Sequence, residues 1–187
     1  MILPVYAYGQ SVLKKKAAPI ETDYPDLKSL IDNMWETMYH ANGMGLAAPQ
    51  VGLSIRLFII DTEQLKDRNE KAEDGIKRAF INAQKIDEGG ELWPYEEGCL
   101  SIPHITADVE RPAQIKLRYL DENLEEREEI FTGMNARVIQ HEYDHIEGIL
   151  FLEHLRPLKR RLLKRKLENI KKGKVDVDYK MKFPSSK

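Results

Sequence analysis

The sequence predicts one domain that combines α-helices with antiparallel β-strands. The chain has 187 residues, of which 42% are apolar, and this is enough for the core of a single domain spanning residues 1–187. Some stretches repeat apolar residues at helical spacing, whereas others alternate them as strands do. Short turn sequences join the strand-like stretches, and short connections are typical of antiparallel pairing.

The composition argues against a membrane protein and a secreted protein, and it shows an uneven distribution of charge. No apolar run approaches the roughly 18 residues of a transmembrane helix, so we expect no membrane partner. The first residues lack the basic and apolar regions of a signal peptide, and the single cysteine excludes an internal disulfide, which together predict a cytoplasmic protein. Residues 156–187 hold 13 Lys and Arg against 3 Asp and Glu, whereas the other 155 residues hold 16 against 28. This basic tail on an acidic body suggests an anionic partner.

The N-terminal part predicts an arm followed by a helix. Residues 1–19 are expected to be extended and to lie over the body. Residues 23–42 predict a helix, with Pro25 in its first turn and Asn42 and Gly43 at its stop. Its apolar stripe follows the spacing i, i+3, i+4, i+7 and i+11 and consists of Leu27, Leu30, Ile31, Met34 and Met38.

A stretch of small residues follows at positions 43–52. Glycine and alanine let a backbone approach another strand or a ligand closely. Gln50 is the functional side chain of this stretch, and its carboxamide can donate hydrogen bonds to a developing oxyanion. The alternative is a glycine-rich turn with a solvated Gln50, and the residues alone leave both interpretations open.

Strand-like stretches dominate the middle of the chain, at residues 56–61, 79–82, 105–111, 114–120 and 124–131. Residues 121–123 are expected to connect the last two as a hairpin. Gly89 and Gly90 predict a turn within residues 85–91, and Arg111-Pro112 predicts the end or the edge of a strand. The charged stretch 62–78 is expected to be an exposed insertion or long loop.

Residues 135–145 predict a helix that carries the pattern H-E-x-x-H, with Thr132 as its N-cap. His141 and His145 are four residues apart and therefore lie on one face, where both imidazoles can bind one metal ion. Glu142 is adjacent and can act as the general base on water. The alternative is a polar helical face with two solvated histidines.

The third metal ligand decides the class of site. One class of zinc peptidases continues with a ligand at a position that Phe151 occupies here, and phenylalanine cannot ligate. A second class uses a downstream glutamate, and neither Glu153 nor Glu168 suits that arrangement. Cys99 is the better candidate, although a lone cysteine is also typical of an inert buried thiol. A Cys/His/His set leaves the fourth position for water, as in a catalytic site.

The C-terminal part predicts a basic amphipathic helix at residues 156–174. Its expected apolar side consists of Leu155, Leu158, Leu162, Leu163, Leu167 and Ile170. A solvated surface helix and an RNA-contacting helix both fit its charge. The tail, residues 175–187, alternates apolar residues as far as Phe183, which predicts an edge strand.

Three segments together resemble the peptide deformylase family. Residues 43–50 are similar to the family's G-x-G-L-A-A-x-Q, residues 97–101 to its E-G-C-L-S, and residues 140–145 to its Q-H-E-x-D-H, in the same order. The resemblance covers roughly residues 1–165 and leaves the insertion and the tail without a function. It implies an α+β fold with antiparallel sheets packed around a central HExxH helix, an N-terminal helix and a C-terminal basic helix.

The resemblance also implies an activity, the removal of the N-terminal formyl group from formyl-methionyl nascent polypeptides with release of formate. The implied metal ligands are Cys99, His141 and His145, and the implied general base is Glu142. The implied oxyanion donors are Gln50 and the backbone N–H of Leu100, and Gly45 resembles a backbone contact to the substrate. Residues expected to line the methionine slot are Met44, Val138 and the ring of His141, with Gly98 leaving room. Glu97 and Arg111 are expected to pair and hold the Cys99 loop, and the alternative is that both are solvated.

The resemblance implies one divalent ion, Fe(II), whose place Zn(II), Ni(II) or Co(II) can take. It implies a formyl-methionyl peptide as substrate, no DNA, and ribosome contact through the helix at residues 156–174. Two other classes of function remain, a zinc endopeptidase and a non-enzymatic ribosome-associated module with a structural metal. A cysteine hydrolase with Cys99 as nucleophile is a lesser alternative.

Overall fold

The structure is a computed structural model that describes residues 1–21, 23–68 and 75–184. These residues form three α-helices, α1 (Leu27–His40), α2 (Gly133–Ile146) and α3 (Pro157–Lys171). They also form the strands β1 (Val5–Tyr6), β2 (Gly45–Ala47), β3 (Leu57–Asp61), β4 (Lys77–Cys99), β5 (Ile102–Leu120), β6 (Glu126–Thr132) and β7 (Met181–Lys182). The predicted combination of helices and antiparallel strands is confirmed.

Five strands form one antiparallel sheet in the order β2-β3-β4-β5-β6. The predicted hairpin turn joins β5 to β6, where Asp121 Oδ1 accepts the backbone N–H of Asn123 at 2.9 Å. The second sheet corrects the expectation of antiparallel pairing throughout, because β1 and β7 pair in parallel. It forms where the two ends of the chain meet.

Strands β4 and β5 are longer than predicted. The expected turn at Gly89 and Gly90 is wrong, because β4 passes through both as a bulge opposite β5, and Gly90 provides the required φ of 82°. Of the two predictions for Arg111-Pro112, the end of a strand is wrong, because β5 continues beyond this pair, and the edge of a strand is confirmed. Pairing between β5 and β6 begins only at Gln114, so Pro112 lies where β5 has a free edge and its missing N–H breaks no ladder.

Helices α1 and α2 bury opposite faces of β3. Leu57 and Ile59 lie in one apolar cluster with α1, whereas Phe58 and Ile60 lie in another with α2. This follows from the two-residue period of a strand. The predicted stripe of α1 is confirmed, since its members all belong to the first cluster. The sheet therefore holds α2 rigidly between its apolar face and the chain that follows.

The bounds of the elements differ from prediction in three further places. Helix α1 begins after Asp26, whose φ is 54°, so Pro25 precedes the helix instead of entering its first turn. In α3, Leu158 and Leu162 are 67% and 75% exposed, so the predicted apolar side is wrong for these two. In the described part of the tail, residues 175–184, the edge strand is the two-residue β7.

The described part of the stretch 62–78 differs from the exposed insertion or long loop that was expected. Thr62 and Leu65 are buried, and β4 already begins at Lys77. Residues 63–68 form a 3₁₀ helix, and residues 69–74 lie outside the described part. Within the described ranges, none of the helices is both long and apolar enough to cross a membrane.

Candidate active site

Helix α2 carries the H-E-x-x-H residues on its last turns. His145 and Glu142 are 1% and 4% exposed, and His141 lies beside them with its ring 6.0 Å from the ring of Phe151. Residues Ala136, Ile139 and Ile146 of the same helix are buried in the apolar cluster with the sheet. Packing on that side fixes the axial rotation of α2, and so it fixes where the histidines point. A polar, solvated face is therefore excluded.

Cys99 lies at the tip of the β4–β5 hairpin, where the register shifts between Gly98 and Cys99. Its Sγ atom is 3.4 Å from Nε2 of His145. One ligand atom each from Cys99, His141 and His145 lies within 4.8 Å of the others. Bond lengths of about 2.3 Å to sulfur and about 2.0 Å to nitrogen separate two tetrahedral ligands by roughly 3.5 Å. The spacing of this Cys/His/His set therefore fits a divalent ion, and it places the thiol of Cys99 beside two imidazoles.

The protonation state of His145 suits ligation, whereas burial of His141 is outweighed by its contacts with Cys99 and Glu97, which raise the pKa of His141 above its usual value. Burial lowers the pKa of His145 to about 3, with a smaller contribution from the neighbouring His141, so its imidazole is neutral.

Among the described residues, His145 Nδ1 and Glu142 Oε2 are buried atoms without a hydrogen-bond partner. Among the same described residues, Arg137 Nε and Gln140 Oε1 are also buried without a partner. Buried polar atoms usually have a partner, so these atoms are available to a ligand or to water.

Glu97 organises the side of the site that faces away from the ligand atoms. The predicted ion pair forms, since Arg111 Nε and Nη2 donate to its two oxygens at 2.7 and 3.0 Å. Arg137 Nη1 donates at 2.9 Å, and Nδ1 of His141 lies 2.9 Å from Glu97 Oε2. This last contact orients the His141 ring and leaves its Nε2 for a metal. Burial alone would raise the pKa of Glu97, but His141 and Arg111 outweigh it and hold that pKa well below its usual range.

Sequence reasoning missed three members of this network. Arg137 is 2% exposed and precedes His141 by four residues, so helical spacing placed it on the same face. Asp144 accepts from Arg111 Nη1 at 2.8 Å and lies 2.7 Å from Nε2 of His154. No local pattern signals the contact between Asp144 and His154, because it forms only when the chain after α2 folds back.

Gln50 is buried, so its interpretation as a solvated side chain is wrong. Its Oε1 accepts the N–H of Ala47 at 2.8 Å, across the 3₁₀ turn at Ala48–Val51. This fixes the amide so that Nε2 points at the hairpin tip, 3.4 Å from Cys99 Sγ and 3.3 Å from Ser101 Oγ. A carboxamide donor is thus held beside the candidate metal ligands.

Gly45 is packed against Glu142. A Cβ atom at position 45 would lie 2.5 Å from Glu142 Oε1, which is too close for any real contact. Burial raises the pKa of Glu142 to about 7, with smaller contributions from its charged neighbours. A carboxyl group with a pKa near neutrality can both accept and return a proton, which a general base needs.

One cleft of about 650 Å³ is lined by Met44, Gly45, Gln50, Glu97, Gly98, Cys99, Leu100, Val138, His141 and Glu142. His145 does not line the cleft, but its Nε2 lies 3.4 Å from Cys99 Sγ. Met44, Gly98 and Val138 contribute to its wall, as expected for a slot that takes an apolar side chain. Residues 176–179 of the tail also line the cleft. Sequence reasoning gave the tail no function, and its alternating pattern did not indicate where it would lie.

Known proteins match this chain over nearly its whole length. A family model described as polypeptide deformylase matches residues 2–161. A peptide deformylase from Christiangramia forsetii is 55% identical, over all of this chain and 98% of its own. The crystal structure of a peptide deformylase from Legionella pneumophila is 36% identical with a TM-score of 0.80, and covers 93% of this chain and 98% of its own. That from Synechococcus elongatus, in complex with actinonin, is 35% identical with a TM-score of 0.75, and covers 92% and 87%.

Proposed function

This chain belongs to the polypeptide deformylase family, and from that premise we propose that Cys99, His141 and His145 hold its metal ion beside Glu142 as general base. The chain is a hydrolase of the family's kind, which removes the N-formyl group from nascent peptides. The observation that carries the proposal is the set of three ligand atoms within 4.8 Å of one another, adjacent to a buried carboxyl group.

A divalent ion held by this set supplies Lewis acidity, which lowers the pKa of water toward neutrality and polarises a carbonyl oxygen. The family is metal-dependent, and we propose Fe(II) for this site, with Zn(II), Ni(II) or Co(II) able to replace it. One thiolate and two imidazoles suit each of these ions, so the choice of Fe(II) rests on the family resemblance.

Glu142 would take the proton from water as the oxygen adds to the formyl carbon. Its pKa of about 7 lets it hold that proton and then return it to the leaving amine as the C–N bond breaks. The products are formate and a free N-terminal amine. Gln50 Nε2 and the backbone N–H of Leu100 would donate to the carbonyl oxygen where negative charge develops. The Gly45 backbone would contact the substrate chain.

The methionine side chain would enter the cleft beside Met44, Val138 and the ring of His141. Gly98, without a side chain, leaves room at the entrance. Glu97 would act from behind the site by orienting His141, at 2.9 Å from its Nδ1.

The wider proposal concerns the whole chain and its surroundings. We propose one catalytic domain over residues 1–187, in which α2 is the central helix about which the sheets are arranged. Helix α3 presents basic residues together with the exposed Leu158 and Leu162, a combination suited to contact with ribosomal RNA and protein. A cytoplasmic location remains a prediction from the sequence.

The test is formate release from a formyl-Met-Ala-Ser peptide by protein purified anaerobically with Fe(II). We expect rapid release by the parent and a loss of at least ~10²-fold in Glu142→Ala with its metal retained. Glu91→Ala, at an exposed position of β4, is the matched control and should keep full activity.

Each alternative class predicts a different result in the same assay. A folded, metal-loaded parent that releases no formate would contradict the proposal and favour a binding module. Cleavage of unformylated peptides would indicate an endopeptidase. Loss of activity on alkylation of Cys99, without displacement of the metal, would indicate a cysteine hydrolase.

A further inference from the structure

The C-terminal segment, residues 175–184, lies beyond the part that the family model matches, yet it reaches the candidate active site. Strand β7 pairs with β1, and Gln10 Nε2 donates to the carbonyl of Phe183 at 2.9 Å. These contacts tie the segment to the N-terminal arm. Residues 176–179, which precede β7, consequently run along the cleft.

Tyr179 makes the contact that matters most. Its hydroxyl donates to the carbonyl oxygen of Leu100 at 2.7 Å, the usual distance for a well-formed O–H···O bond. Burial raises the pKa of Tyr179, so the hydroxyl keeps its proton and acts as the donor. The bond joins residue 179 to the tip of the β4–β5 hairpin, 79 positions earlier in the chain.

The hairpin tip is held from outside by three distant segments. The N–H of Tyr8 donates to the carbonyl of Ser101 at 2.8 Å, and Gln50 Nε2 lies 3.3 Å from Ser101 Oγ. The third contact is the hydrogen bond from the Tyr179 hydroxyl, and it is the one made to Leu100. The tip needs such support because the strand register shifts just before Cys99.

We propose that Tyr179 is a positioning residue of the active site, which fixes Leu100 so that its N–H faces the carbonyl oxygen of the substrate. This inference rests on the proposed function. Hydrogen-bond donors lower a barrier only when they are already aimed at the place where charge develops. The Tyr179 hydroxyl bonds the carbonyl of the same residue whose N–H is the donor, so it limits rotation about Leu100.

The kinetic test compares three full-length Fe(II) proteins in the formate assay. Tyr179→Phe removes only the hydroxyl, and we expect kcat to fall roughly 3- to 10-fold, the effect of one hydrogen bond, while KM changes less than about twofold. Tyr6→Phe is the matched control, since the Tyr6 hydroxyl accepts Lys182 Nζ at 3.1 Å and so also ties the segment to the body. It should keep kcat within about twofold of the parent.

A second readout follows Leu100 itself. In the Zn(II) protein with ¹⁵N-labelled leucine, we expect the Leu100 amide signal to shift and its hydrogen exchange to accelerate in Tyr179→Phe, and to stay unchanged in Tyr6→Phe. An unaltered kcat and Leu100 signal in Tyr179→Phe, or equal effects in both variants, would overturn the inference. A parent that releases no formate would instead overturn the proposed function.

Discussion

At the scale of single residues, the candidate site depends on the missing Cβ atom of Gly45. Glu142 is buried at 4% exposure, and it occupies the space where a Cβ atom at position 45 would otherwise be. Glycine is needed at position 45 because the Glu142 side chain approaches its backbone closely. It is not needed for the backbone conformation, because the φ angle of Gly45 is not positive. The same position carries the proposed backbone contact to substrate. Under the proposal, Gly45 thus leaves room for the side chain of Glu142 and contacts the substrate through its backbone.

We predict that Gly45→Ala lowers kcat at least ~10-fold. The new methyl group would lie 2.5 Å from Glu142 Oε1 and 2.7 Å from its Cγ, so the carboxyl group must move. A misplacement of about 1 Å in a catalytic group can cost about 100-fold. Formate release and thermal unfolding of the metal-loaded protein are the measurements.

Gly89→Ala is the control for this prediction, because a Cβ atom at position 89 would meet nothing within 4 Å. It should leave kcat and the unfolding temperature close to those of the parent. Equal kcat values for the two alanine variants would contradict the assigned contact between Gly45 and Glu142.

The residues predictable from sequence are those whose partners are fixed by local spacing. His141, Glu142 and His145 lie within two turns of one helix, so their proximity follows from helical geometry alone. The pairing of Glu97 with Arg111 was one of two interpretations of these residues, and it is confirmed, whereas the solvated alternative is wrong. The contact between Asp144 and His154 depends on tertiary folding, which no local spacing encodes.

At the scale of elements, helix α3 shows how an apolar pattern can mislead. Leucines recur along it, but only part of the helix lies over the body. Leu167 and Ile170 are buried in the cluster with β5 and the N-terminal arm, whereas Leu158 and Leu162 face solvent. Apolar spacing predicts a helix and its possible face, and it does not predict where along its length the contact with the body ends.

We predict that Leu167→Ala destabilises the protein by about 2–5 kcal/mol, the usual effect of removing a buried leucine side chain. Leu162→Ala makes the same chemical change at a position that is 75% exposed, and we expect an effect within about 0.5 kcal/mol. Urea unfolding at fixed metal concentration compares the two. A loss for Leu162→Ala as large as that for Leu167→Ala would show that the exposed face is covered in solution.

The long strands β4 and β5 were predicted as shorter pieces for a similar reason. Glycine pairs and Arg-Pro are typical of turns, and local signals cannot reveal a partner strand that tolerates them. Here β5 accepts the bulge at Gly90, and the edge position of Pro112 makes its missing donor harmless. Tertiary pairing therefore overrides two local signals, and the resulting hairpin is long enough to bring Cys99 to the helix.

At the scale of the whole molecule, the candidate site is formed by segments that are distant in sequence. Cys99 comes from a hairpin tip, His141 and His145 from a buried helix, and Gln50 from a turn after β2. The motifs predicted which residues would meet, but the tail, at Tyr179, was not foreseen because it lies outside them. A ligand bound between separate segments should stabilise the fold that assembles them.

We accordingly predict that metal removal lowers the free energy of unfolding. A ligand at 100 times its dissociation constant contributes about 2.7 kcal/mol, because it binds the folded state alone. The ligands must be deprotonated to bind. Burial opposes protonation of His141, but its contacts with Cys99 and Glu97 outweigh burial and raise its pKa well above the usual value. The gain in stability should therefore shrink as the pH falls and protons compete with the metal for His141. Urea unfolding with and without a chelator, at several pH values, measures the gain.

Cys99→Ala provides the control for this linkage, since it removes one of the three ligand atoms that lie within 4.8 Å. Its stability should respond little to the chelator at any pH, while the metal-free parent and the metal-free variant should be similarly stable. If Cys99→Ala lost as much stability as the parent on chelation, the metal would be bound elsewhere. The hairpin tip and α2 would then be held together by protein contacts alone, and the proposed hydrolytic centre would lack its third ligand.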